Sequence, residues 1–232
     1  GKLVGLEALI HWSNPRHGKS PAPVAVNLAE DGDCIGDLGD WAINEACACK
    51  ARWNALGYQA LSIAVNVSPT QLSNNNFARR FRETLERHGL RRDEIEIEIT
   101  ESEAIPDEAM TNRNLQALSE MGIRLAMDDF GMGYSSLLHL RRFNIHAIKI
   151  DGSLTRDVLT NTTNADIIRA ITSLGKARNV EVVAEYIETR EQREALAEMG
   201  CNVFQGHYHS PPISESEWLS YFAELGGMNH HK

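Results

Sequence analysis

Residues 94–99 read Glu94-Ile95-Glu96-Ile97-Glu98-Ile99 and run on into Thr100-Glu101. Strict alternation over such a span predicts a strand, and a period of two turns the isoleucines to one face and the glutamates to the other. A charged inner face needs a partner, because several carboxylates within a few ångström cannot all ionise uncompensated. Outward from this stretch, in both directions, one unit recurs: a short apolar strand, a polar residue at its end, then a helix. Strands rich in Val and Ile are expected at Leu3–Leu9, Ile63–Val67, Ile95–Thr100, Arg124–Phe130, Ala147–Asp151, Glu181–Ile187 and Val203–Gly206.

The segments between them carry apolar spacings of three and four. Leu38, Ala42, Ala46, Cys49, Trp53 and Leu56 mark one helical face. Phe77, Phe81 and Leu85 mark a second, stopped by Gly89, and Ile167, Ile171 and Leu174 a third. Thr189 with Gln192, and Ser214 with Glu217, have capping-box spacing, while Gly122 and Gly200 sit where helices should end. Alternating strands and helices imply parallel βαβ units. Seven of them predict a barrel or a large open sheet. The barrel is the better account, because only there do the polar residues at many strand ends converge on one mouth.

Composition narrows the function classes. The chain has 232 residues, 42% of them hydrophobic, with no linker-like or low-complexity stretch, which suits one domain over 1–232. A formal net charge of −9 argues against duplex nucleic acid and anionic lipid as partners, though a metal ion can invert the charge locally. No apolar run is long enough to span a bilayer, so no direct membrane contact is expected from this domain. Cys34, Cys47, Cys49 and Cys201 lack paired CxxC spacing and read as reduced core thiols of a reducing compartment, which predicts a cytoplasmic location. The opening Gly-Lys-Leu-Val lacks an initiator Met and suggests a piece of a larger, multidomain protein, one that a membrane anchor elsewhere is free to hold.

The strand ends carry the chemistry. They deliver, in order, Glu7, Asn66, Glu98 with Glu101, Asp128-Asp129, Lys149 with Asp151, Glu185 with Glu188, and Gln205. One such residue alone is ordinarily a solvated surface charge, and Asp128-Asp129 before Gly131 alone is ordinary turn chemistry. Independent surface charges need not fall at successive strand ends, however. Lys149 offers one compensating charge, and Mg²⁺ or Mn²⁺ with hard oxygen ligands is the fuller answer. Two such ions sharing an aspartate form a clamp for in-line attack at phosphorus, with a lysine to orient water or neutralise the transition state. The chain has no GxSxG elbow, Walker loop or HExxH helix.

At these residues the sequence resembles the EAL family of cyclic di-GMP phosphodiesterases. The resemblance rests on Glu7-Ala8-Leu9 with Trp12, Val65-Asn66-Val67-Ser68 with Gln71, Glu98-Ile99-Thr100-Glu101-Ser102, and Asp128-Asp129-Phe130-Gly131 running on to Gly133-Tyr134-Ser135-Ser136. It continues through Lys149-Ile150-Asp151, Ala184-Glu185 with Glu188-Thr189, and Gln205-Gly206, so it covers nearly the whole chain in order. The resemblance implies a modified TIM (β/α)8-type barrel that hydrolyses cyclic di-GMP to the linear dinucleotide with two ions, Mg²⁺ or Mn²⁺. It implies Glu7, Asn66, Glu98, Asp128 and Asp129 as metal ligands, and Lys149, Glu185 and Glu101 as catalytic or supporting residues. Ser68, Asp151 and Gln205 match positions near substrate. It also implies a homodimer through the Asp129–Ser136 loop, and a further strand upstream of Leu3, without which the barrel is one stave short.

The departures fall around the ligand. The family's phosphate-contacting Arg is His11 here, shorter and only partly charged near neutrality. Met132 replaces a small or hydroxyl residue of the dimer loop, and Tyr186 replaces the glycine after Glu185, where a side chain can crowd the mouth or stack on a base. His207, His209 and Pro211 stand at the family's aromatic and basic positions. The rival expectation is therefore a weak or inactive EAL-type receptor that binds cyclic di-GMP and signals to a protein partner.

Overall fold

The computed structural model describes residues 2–14, 18–20, 22–32, 34–100, 108–131 and 140–228. Seven strands, β1 (Gly5–Ala8), β4 (Ser62–Asn66), β5 (Ile95–Thr100), β6 (Arg124–Phe130), β7 (Ala147–Ile150), β8 (Glu181–Ala184) and β9 (Val203–Phe204), form one sheet in that order, every neighbouring pair parallel. The order never reverses. A doubly wound open sheet reverses at a switch point, whereas one-way winding curls the sheet towards a barrel. A small antiparallel hairpin, β2 (Trp12–Asn14) and β3 (Gly18–Ser20), follows β1 and was not foreseen. Among the described residues β1 and β9 are the sheet's two edges.

Helices follow β3, β4, β5, β7, β8 and β9: α1 (Ala22–Asp31), α2 (Ile35–Ala55), α3 (Pro69–Leu72), α4 (Phe77–Arg87), α5 (Glu108–Glu120), α6 (Gly152–Thr155), α7 (Thr162–Arg178), α8 (Arg190–Glu198) and α9 (Glu215–Met228). The isoleucines of β5 lie buried in one cluster with Leu125 and Met127 of β6, Ile148 and Ile150 of β7, and Phe81, Leu118 and Ile168 from the helices. The inner face is lined by small residues, with Ala126, Ala147 and Val183 in one cluster beside Val203. Both predicted capping boxes form, at Thr189–Gln192 and Ser214–Glu217. Gly89, Gly122 and Gly200 all take positive φ, as helix stops do. The four cysteines are free thiols. No described helix is long and apolar enough to cross a membrane.

Two expectations need correction. The buried stripe of α2 is Ile35, Gly39, Ile43, Ala46, Cys47, Lys50 and Trp53, and Leu56 is exposed. The predicted face was offset because a lysine occupies a core position. Lys50 is fully buried, its Nζ 3.0 Å from Glu94 Oε1. Glu96, too, does not face a metal-filled mouth. It pairs with Arg124 at 3.1 Å, and His146 and Glu181 stand at that same far end of the strands.

Removing one partner of a buried ion pair strands the other charge. Glu94→Ala is therefore expected to lower the unfolding free energy by about 3–5 kcal/mol, read as a lower urea midpoint.

Candidate functional site

The mouth is built at the carboxyl ends of the strands, where period two turns Glu7, Asn66, Glu98, Lys149 and Glu185 inward. Its centre is Lys149, 2% exposed. Its Nζ lies 2.7 Å from Glu98 Oε2, 2.8 Å from Glu185 Oε1, 3.3 Å from Glu7 Oε2 and 3.5 Å from Asp128 Oδ1. Carboxylates from four strand ends thus share one ammonium. Glu7 is tied further, accepting from Asn66 Nδ2 at 2.7 Å and from Gln205 Nε2 at 2.5 Å. The Gln205 bond links the two edge regions of the sheet, at β1 and just past β9, where no ladder joins them among the described residues.

Asp128 and Asp129 are adjacent, and in a regular strand they would face opposite ways. The register between β6 and β7 shifts between Met127 and Phe130, and Asp129 takes a φ of +52°. This bulge re-aims the second carboxylate. As a result Asp128, Asp129 and Glu185 each bring an oxygen within 4.8 Å of the others and could hold a metal ion. The grouping puts Glu185 with the aspartates as a possible ligand, a placement the spacing did not reveal.

Electrostatics agree. Burial pushes Glu98 well above the usual carboxylate range; Glu7 and Asp128 add to this while Lys149 opposes it. Burial raises Asp128 as well, with Lys149 opposing. Asp129 is pushed up to about 6 by burial and then by Asp128 and Asp151. Glu185 is pushed up to about 7, by burial first, with Lys149 opposing and Asp128 adding. Burial also raises Glu7, but Lys149, Gln205 and Asn66 together outweigh it and hold Glu7 low. Burial would neutralise Lys149, yet Glu98, Glu7, Glu185 and Asp128 together keep it charged. Crowded oxygen donors that retain protons for lack of positive charge fit a hard divalent cation.

The remaining predicted residues divide. Asp151 caps α6, accepting from the Ser153 N–H at 2.9 Å, and its charge helps to raise Asp129, so it belongs to the mouth. His11 is exposed beyond β1. Ser68 serves locally: its Oγ accepts from Gln71 N, and Gln71 Oε1 accepts from Ser68 N, a capping box that starts α3. Glu101 and the loop positions Met132–Ser136 lie outside the described residues. Thr155 was missed: wholly buried, it donates to the Glu185 carbonyl at 2.6 Å and steadies that carboxylate's backbone. Nothing in its spacing signals this.

Gly206, beside Gln205, holds a φ of +148°, and a Cβ there would strike the backbone of Ile187. Gly206→Ala is expected to cost about 1–3 kcal/mol, seen in a denaturant titration, and to loosen the Gln205 bond to Glu7.

The model of one domain family, the EAL domain, matches residues 1–212. The chain belongs to the EAL domain family. It is 36% identical over 223 residues to the bifunctional diguanylate cyclase/cyclic di-GMP phosphodiesterase MucR of Pseudomonas aeruginosa, covering 96% of this chain and 33% of that protein. It is 34% identical over 213 residues to the cyclic di-GMP phosphodiesterase NbdA of the same organism, covering 92% of this chain and 27% of that protein. The EAL chain thus spans about a third or less of these two relatives. In structure it resembles the PaMucR phosphodiesterase in complex with c-di-GMP, with a TM-score of 0.89 at 36% identity, over 94% of this chain and 88% of that one. The expected modified TIM-type barrel is the observed fold of this EAL domain, with seven parallel strands in the described part.

Proposed function

We propose that this EAL domain hydrolyses cyclic di-GMP to linear pGpG with Mg²⁺ or Mn²⁺, in a two-ion site. The observation that carries the reading is the Lys149 ammonium bonded to Glu98, Glu185, Glu7 and Asp128 at once, in a chain whose relatives include named cyclic di-GMP phosphodiesterases. Glu7, Asn66, Glu98, Asp128 and Asp129 are the ligands in this reading, with Glu185 and Asp151 beside them. Bound ions supply Lewis acidity towards the phosphoryl group and the attacking water.

The protein's own residues do the rest. Lys149 holds Glu7, Glu98 and Glu185 in place and donates to the incoming water or to a phosphoryl oxygen. Glu185, poised near neutrality by burial, accepts a proton from that water at its carboxylate. The water oxygen bonds to phosphorus as one phosphorus to O3′ bond breaks, and the departing O3′ takes a proton from solvent, leaving a 5′-phosphate on one nucleoside and a 3′-hydroxyl on the other. His11, Asp151 and Gln205 contact substrate, while Ser68 fixes the start of α3. Glu101 is retained as a supporting residue, and the Asp129–Ser136 loop as the homodimer contact, on the resemblance to the family alone.

Chromatography after incubation with cyclic di-GMP and Mg²⁺ tests the reaction. Linear pGpG is expected. Binding without any linear product would overturn the hydrolase reading in favour of a receptor. Light scattering on the eluting protein tests the dimer.

A further inference from the structure

Tyr186 follows Glu185 directly at the mouth and has a backbone φ of +55°. A bulky side chain in the left-handed region is strained, and such strain persists only where the surroundings hold it. Here two contacts hold it. The ring covers Gly152, the first residue of α6, so closely that a Cβ there would run into Cγ and Cδ2 of the ring. The guanidinium of Arg156, just past α6, sits over the ring with Cζ 4.5 Å from its centroid. Tyr186 nonetheless stays 47% exposed. An aromatic and a cation are thereby fixed at the rim of the mouth, the aromatic next to Glu185 and the cation at the far end of the short helix that Asp151 caps.

A stack of this kind has no counterpart in the metal-holding set and no use in hydrolysis itself. A guanidinium held over an aromatic ring keeps a free edge of planar N–H donors, which matches the O6 and N7 acceptors of guanine and meets a donor at N6 of adenine. We propose that Tyr186 positions Arg156 to read a guanine of the cyclic dinucleotide, so that the pair sets base specificity. The inference rests on the hydrolase reading of the same mouth. Gly152 is part of the device, because only a residue without Cβ leaves room for the ring.

Calorimetric titration of the full chain in chelator, where nothing turns over, tests this with cyclic di-GMP and cyclic di-AMP. The unsubstituted protein is expected to prefer cyclic di-GMP. Arg156→Ala, Tyr186→Gly and Gly152→Ala are each expected to cut that preference by about 10-fold or more, and Tyr186→Phe to preserve it. Tyr186→Gly should fold, since glycine takes this φ freely, and circular dichroism checks that. An unchanged preference in folded Arg156→Ala and Tyr186→Gly overturns the inference while leaving the hydrolase reading intact. Equal weakening towards both nucleotides overturns it as well, because it marks a phosphate contact or a structural stack. A chain that hydrolyses and binds neither nucleotide overturns both readings together.

Discussion

Lys149→Met is expected to reduce cyclic di-GMP turnover by about 10²–10⁴-fold, the usual cost of losing a positioned proton donor or charge in a reacting site. It should also lower the unfolding free energy of the ion-free protein by about 3–5 kcal/mol at neutral pH. Both effects have one cause. Lys149 is buried and bonds Glu98, Glu185, Glu7 and Asp128. Without the ammonium these carboxylates repel one another in a dry site and take up protons. The pKa of Lys149 is raised in the folded state, because its acidic neighbours outweigh burial. Its stabilisation is therefore present from the pH at which those carboxylates are charged up to the ordinary lysine pKa, and on the alkaline side is lost only as pH rises through the higher folded value. The deficit of Lys149→Met should shrink in acid, where the carboxylates are neutral anyway, and shrink again when Mg²⁺ or Mn²⁺ replaces the lost charge. Chemical denaturation with and without ions reads the stability, and Glu120→Ala, an exposed change on α5, serves as the control. A fully stable Lys149→Met protein in chelator would contradict this picture of the mouth.

The second large effect is ion-linked and pH-dependent. Asp129, pushed to about 6, and Glu185, pushed to about 7, both bind protons more tightly in the folded ion-free state than in the unfolded chain. Between the ordinary values, 3.8 and 4.5, and these raised ones, the folded state holds more protons. Stability of the ion-free protein should accordingly fall as pH rises through that window. Ions need deprotonated carboxylates, so their affinity rises across the same window. Saturating Mn²⁺ should raise Tm little near about pH 5 and strongly near about pH 8. An excess of about 100-fold over Kd corresponds to ~2.7 kcal/mol. In Asp129→Asn the difference between the two pH values should narrow. Differential scanning fluorimetry reads all of this, and an equal shift at both pH values would count against Asp129 and Glu185 as ion-linked groups.

Much of the fold could be read from Val, Ile and glycine. All seven parallel strands lie where alternation and β-branched runs put them, and β6 keeps both predicted ends. The strands β8 and β9 are shorter than expected, ending at Ala184 and Phe204, and the positive φ of Tyr186 and Gly206 follows just beyond. The hairpin β2–β3 was invisible because three-residue strands carry no periodicity. The stripe of α2 was misread because Lys50 breaks its apolar pattern and finds its partner, Glu94, only in three dimensions.

For the site, strand-end positions could be read but their mutual geometry could not. That Asp128 and Asp129 share a mouth depends on a bulge, a property of the pairing with β7 and not of either residue. Lys149 at the centre, rather than at the margin, depends on side-chain reach across four strands. Ser68 carried a legible capping signature with Gln71, and in the structure that is what its hydroxyl does.

The most direct measurement of the central claim is mass spectrometry of the nucleotide formed from cyclic di-GMP in ¹⁸O-labelled water with Mg²⁺. Water attack at an acidic, ion-loaded mouth predicts linear pGpG with one ¹⁸O on its terminal phosphate, and no such product in chelator. Cyclic di-GMP recovered intact from a protein that binds it, or linear product formed undiminished in chelator, would contradict the account.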